Sequence, residues 1–219
     1  MITADPTAAP ADSVECPVRR PGRPRQERAG RAIIEATLQL FADDGYHALS
    51  VEAVAAKAGV SKTTVYRRWP GKRELVIDAL ATLNDSFPQP SADVGTRERL
   101  LSGLRYLTGR DANSLAGRIM PRMMVYSVSQ PDLYAEYFER VIMPRRRWLH
   151  QVLRDGVRNG ELRADLDVEL AAMALVGPMV LQKHSMGWRE PHEQLPEHLL
   201  HLLWPGLSAH APGPDSTDL

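Results

Sequence analysis

Apolar positions recur along most of the 219-residue chain at intervals of three and four, the period of helices that bury one face. Ile34, Thr37, Leu38 and Phe41 fall at i, i+3, i+4, i+7, which predicts a first amphipathic helix ending at Gly45. Ser50 can cap a second helix, in which Val51, Val54, Ala55 and Ala58 keep the same spacing and Gly59 supplies the stop. Ser61 caps a third, short helix with Val65 and Trp69 as its inward i, i+4 pair. Pro70 and Gly71 interrupt the pattern before a fourth helix carrying Leu75, Val76, Ala79, Leu80 and Leu83. Further helices are expected near 97–110, 114–128, 132–158, 166–187 and 192–204, with kinks or breaks at Pro121, Pro144 and Pro178. No strand alternation competes, so the expected class is all-α.

"FPQPSADVGT", Phe87 to Thr96, is rich in Pro, Gly and Ser and is read as a connector. The predicted organisation is a tail at 1–18, a front unit at 19–71, a linking helix at 72–86, a larger rear unit at 87–207 and a second tail at 208–219. Both tails are Pro- and Ala-rich without apolar periodicity and are expected to be disordered.

The second and third helices, joined by a tight glycine turn, have the punctuation of a helix-turn-helix. With Val65 and Trp69 turned inward, steps of about 100° per residue put Thr63 and Arg67 on the opposite side, flanked by Thr64 and Tyr66. Short hydroxyl residues let a helix approach a groove floor, while Lys62, Tyr66, Arg67 and Arg68 can bond phosphates. Lys72, at the start of the fourth helix, adds a cation beside free backbone donors. Upstream, "RRPGRPR" places Arg23 and Arg25 among prolines, an extended shape suited to a minor groove.

Charge sharpens this reading. The formal net charge is zero, yet Arg19 to Asp78 holds 12 Lys and Arg against 7 Asp and Glu, leaving 15 against 20 elsewhere. One end is thus basic enough to face a polyanion. The single cysteine, Cys16, excludes an internal disulfide. The longest near-apolar run, Leu170 to Leu181, is short of the roughly 20 residues a bilayer needs, and the first residues lack a signal-peptide pattern. The expectation is a soluble cytoplasmic protein with no membrane partner.

"AIIEATLQLFADDGYHALSVEAVAAKAGVSKTTVYRRWPGKREL", Ala32 to Leu75, and more loosely "NGELRADLDVEL", Asn159 to Leu170, resemble the TetR family of bacterial transcriptional regulators. The resemblance implies three helices that bind DNA, a fourth that links them to a ligand-binding and dimerisation domain, and homodimers on palindromic operators. It places DNA-contacting positions at Ser61, Lys62, Thr63, Thr64, Tyr66, Arg67 and Lys72. Thr63 stands where relatives often carry glycine or alanine, so base preference does not transfer.

In the rear unit, soft and aromatic side chains at Met120, Met124, Tyr126, Tyr137, Phe138 and Trp148 suit a pocket for a small apolar or aromatic effector. An ordinary core filled by methionine is the competing account. Ala171, Ala174, Gly177 and Leu181, with Leu199, Leu202 and Leu203, resemble the two helices that pair across the family's dimer. His192, His198 and His201 lack acidic or cysteine partners at metal spacing, so no metal and no cofactor is expected. "PRRRW", Pro144 to Trp148, has Glu136, Glu139 and Asp155 within helical reach and is read as a salt-bridged face. The expected function is a repressor released from its operator by a small molecule. A same-fold regulator answering to a protein partner is the alternative, and an enzyme the remote one, since no phosphate loop or nucleophile elbow is present.

Overall fold

Local capping sets the front helices. In the computed structural model, which describes residues 23–85, 87–88, 93–108, 114–184 and 194–209, α1 (Arg23–Ala48) breaks where Gly45 takes φ 78° and ψ 179°. Few side chains tolerate that backbone, and a Cβ there would sit 2.7 Å from the Tyr126 hydroxyl. Ser50 then caps α2 (Val51–Lys57) by accepting from the Ala53 amide at 3.1 Å. Gly59, at φ 66°, turns the chain into α3 (Lys62–Tyr66), which Ser61 caps through the Thr64 amide at 3.3 Å. α4 (Lys72–Ala81) starts at Gly71 and ends in a single 3₁₀ turn, Thr82–Asn84.

The rear helices are α5 (Thr96–Thr108), α6 (Leu115–Ser129), α7 (Pro131–Tyr137), α8 (Met143–Arg158), α9 (Val168–His184) and α10 (Leu195–Leu207). The helix expected at 132–158 is divided: a π-helical turn, Phe138–Ile142, separates α7 from α8. Pro144 falls in the first turn of α8, where no intrahelical donor is required, so the irregularity is displaced one turn upstream of the proline. Pro121 and Pro178 stay inside continuous helices.

Packing yields two apolar cores. The first joins Ile33, Phe41, Val54, Val65, Leu75 and Leu80 of α1–α4 to Ile119, Met123 and Tyr126 of α6, Leu133 and Tyr137 of α7, and Val141 of the π turn. The second gathers Leu100 and Leu104 of α5, Val152 and Leu153 of α8, Leu175 and Met179 of α9, and Leu200 of α10. Each fully buried residue of this size contributes about 1.5–3 kcal/mol of transfer free energy. Apolar packing therefore crosses the Phe87–Thr96 connector, because α6 and α7 pack against the front helices.

The α8–α9 connection is fixed by backbone bonds. The Leu162 amide donates to Gly156 at 2.8 Å, and the Arg163 and Ala209 amides bond Leu207 and Glu161, each at 3.0 Å. Ser208 is buried there and forms an isolated antiparallel bridge with Leu162. Ser208 and Ala209, expected to belong to the C-terminal tail, are thus held by backbone bonds, and residues 210–219, like 1–22, lie outside those described.

Candidate nucleic-acid interface

α3 is held from behind. Val65 is buried, and Trp69 is buried with its Nε1 donating to Asp78 Oδ2 of α4 at 2.8 Å. Rotation about that anchor leaves Ser61, Lys62, Thr63, Tyr66, Arg67 and Arg68 exposed, with Thr64 half-buried. Tyr66 is 48% exposed, although a ring of that size is ordinarily covered. A phenol, the Thr63 hydroxyl and an arginine thus share one solvent face, able to donate to phosphate oxygens and to base edges.

The structure divides the predicted contact residues by their freedom. Ser61 Oγ lies 2.9 Å from Thr64 Oγ1, so both hydroxyls serve the cap. Lys62 Nζ pairs with Glu52 Oε1 of α2 at 2.7 Å, and that hydrogen bond holds the Glu52 carboxyl below its ordinary range. Both groups are half exposed, so a phosphate can compete for the lysine at little cost. Arg68 donates to the Gln26 carbonyl of α1 and is already engaged. Thr63, Tyr66 and Arg67 are the outward set.

Lys72 is held by contacts that its sequence position did not imply. Its Nζ donates to the His47 carbonyl at 3.2 Å and lies 4.4 Å from the Tyr46 ring centroid, and burial lowers its pKa. Tyr46 and His47 were not anticipated; the only signal was an aromatic pair just before the cap Ser50. Arg23 and Arg25 lie in the first turn of α1, so the extended arm is corrected at these two positions. Pro24 permits this, since first-turn residues need no intrahelical donor.

α4 is clasped from the rear. Arg73 Nη2 bonds the Asp132 carbonyl at 3.0 Å and Glu136 Oε1 at 2.8 Å, while Arg140 pairs with Asp78 at 2.6 Å. Asn84 Nδ2 donates to the carbonyls of Arg140 and Val141, each at 3.2 Å. These bonds tie α7 and the π turn to the helix that anchors Trp69.

The six residues expected to line an effector pocket are dispersed. Tyr126 belongs to the front core, its hydroxyl accepting from the Tyr46 amide at 2.8 Å. Met124 faces solvent, Phe138 is half-buried, and Tyr137 donates to Met120 Sδ at 3.4 Å. Trp148 lies with the second core, against Gly103 and 5.0 Å from the Phe87 ring centroid. A surface hollow of about 580 Å³ instead runs along α1, lined by Ile34, Leu38, Arg68 and Trp69.

Among the residues expected at a dimer interface, Gly177, Leu181 and Leu202 are exposed, the two leucines at 60% and 74%. Ala174, Leu199 and Leu203 are half-buried, and Ala171 points into its own core. Leu170, Met173 and Val180 extend the exposed apolar stripe of α9. Among the described residues no group of three His, Cys, Asp or Glu could hold a metal, and no helix is long and apolar enough to cross a membrane.

Two family models match the chain: bacterial regulatory proteins of the tetR family over residues 33–79, and the tetracyclin repressor-like C-terminal domain over residues 94–203. The HTH-type transcriptional regulator YdeS of Bacillus subtilis is 32% identical over 72% of this chain and 79% of its own length. A DNA-binding transcriptional repressor TetR of Mycobacteroides abscessus is 30% identical over 67% of this chain and 77% of its own. The fold matches the structure of the fatty acid degradation regulator FadR from Bacillus halodurans with a TM-score of 0.67 at 22% identity, covering 81% of this chain and 98% of the other. A capped α3 with an outward polar face, set on a helical rear domain of this type, places the chain in the TetR family of DNA-binding transcriptional regulators.

Proposed function

We propose that the protein is a homodimeric repressor that binds a palindromic operator through α3 and is released by a small molecule held in its rear helices. The observation that carries the reading is the outward face of α3, where Thr63, Tyr66 and Arg67 are exposed behind a buried Val65–Trp69 anchor. The apolar stripe of Leu170, Met173, Leu181 and Leu202 supports pairing with a second copy, since isolated proteins rarely leave such a contiguous patch in water. Two-fold pairing would set the α3 helices about 34–36 Å apart, or a multiple of it, one per half-site. A repressor from Mycobacteroides abscessus at 30% identity supports the direction of regulation.

Release follows from the clasp on α4. An effector that favours a different setting of α7 and the π turn moves Arg140 and Asn84, and with them α4 and the Trp69 anchor. A coupling of about 1–3 kcal/mol lowers operator affinity some 5- to 150-fold. The test is selection of bound sequences from random duplex DNA, with Tyr66→Ala as control. An enriched palindrome that the variant loses supports the reading; equal enrichment by both proteins removes α3 from the interface.

A further inference from the structure

Arg145, in the first turn of α8, is a buried cation that has no ion-pair partner among the described residues. It is only 9% exposed. Its Nε donates to Asn84 Oδ1 at 2.6 Å, its Nη2 to the Leu83 carbonyl at 3.2 Å, and its Cζ lies 5.6 Å from the Tyr106 ring centroid. Every one of these partners is neutral. Carboxylates of the surrounding helices pair with other arginines: Asp78 with Arg140, Glu136 with Arg73, Glu169 with Arg146, and Asp155 with Arg99 and Arg158. The salt-bridged face expected of "PRRRW" is therefore corrected at Arg145.

A guanidinium keeps its charge at neutral pH, so burial without an anion leaves a standing desolvation cost. That cost is relieved by any ligand that brings its own negative group. The surroundings indicate what the rest of such a ligand would meet: the Phe87 ring centroid lies 4.9 Å from Tyr106 and 5.0 Å from Trp148, one turn along α8 from Arg145. Tyr137, hydrogen-bonded to Met120, is close enough for its phenol to act electrostatically on the guanidinium.

We infer that the effector is an aromatic organic anion and that Arg145 receives its carboxylate; this rests on the ligand-released reading above. The site is also the trigger. Nε and Nη2, the donors a carboxylate takes in a bidentate pair, now hold Asn84 and Leu83 in the turn that ends α4. An anion that draws them away frees that turn, and α4 loses one of its ties to the rear helices.

The test uses the full chain on its selected operator, followed by fluorescence anisotropy. Benzoate, 2-naphthoate and 9-anthroate are each titrated beside the matching primary amide. At least one carboxylate is expected to weaken operator binding about ten-fold or more, with its amide moving it less than about two-fold. Arg145→Gln loses the response relative to its own ligand-free affinity, and Arg145→Lys, which keeps the charge without the fork, regains part of it. A wild-type protein that binds its operator but ignores all three carboxylates overturns the inference. So does equal action of acid and amide, or an undiminished response in Arg145→Gln. If Arg145→Gln does not fold, Arg145→Lys decides, and carboxylate sensitivity equal to wild type overturns it. Failure of the wild type to select any operator would instead overturn the functional reading beneath it.

Discussion

Tyr126 and Gly45 join the front of the molecule to its rear through a contact of two residues. The hydroxyl of Tyr126 reaches the Tyr46 amide only because Gly45 has no side chain in its path. Tyr126→Phe should cost about 1 kcal/mol in chemical denaturation, the usual worth of one hydrogen bond to a partly buried amide. Gly45→Ala should cost more, about 1–3 kcal/mol, because it adds backbone strain to the clash. Within α3, exposure assigns different effects to neighbours. Tyr66→Ala should weaken binding to all duplexes while leaving the salt slope unchanged, since a phenol neutralises no phosphate, whereas Thr63→Ala should alter preference at one base position, read by competition among operator variants. Thr64→Ala should act mainly on stability, since its hydroxyl is bonded to Ser61.

At the scale of elements, Asp155 locks α8 to α5. Burial alone would raise its pKa, but bonds from Arg158, Gln151 and Arg99 outweigh it and hold the carboxyl below its ordinary range. A carboxyl depressed in the folded state stabilises above its unfolded pKa and loses that contribution as the pH falls through the folded value. The melting temperature should therefore drop on acidification below the carboxylate range, and Asp155→Asn should flatten that drop. Gly103 marks the other contact between these helices: a Cβ there would lie 2.6 Å from the Trp148 ring, so Gly103→Ala should cost about 1–3 kcal/mol. The caps Ser50 and Ser61, the turn at Gly59 and the inward pair Val65 and Trp69 were legible in the sequence because each follows from chemistry within a few residues. The π turn was not, since its extra residue leaves the apolar spacing of 132–158 nearly helical. Nor was the place of Tyr126, because an apolar face shows that a residue is buried and not which core receives it. Arg145 looked like its exposed neighbours for the same reason: charge along a helix does not report depth.

For the whole molecule, the exposed leucines of α9 and α10 are expected to become the centre of a dimer. Leu181→Glu with Leu202→Glu should yield a monomer in sedimentation velocity and abolish high-affinity operator binding, since each half-site alone contributes only part of the affinity. The first core carries a separate consequence. Its front wall is α1–α4, but Ile119, Met123, Leu133, Tyr137 and Val141 form its back. The DNA-reading headpiece is therefore not a removable module. A fragment stopping at Asp85 would leave the inner face of α1–α4 in water and should bind ANS rather than an operator. A chimaera that gives this headpiece a foreign sensor must carry α6 and α7 along with it, so the functional suture in this chain lies beyond the π turn and not at the proline-rich connector.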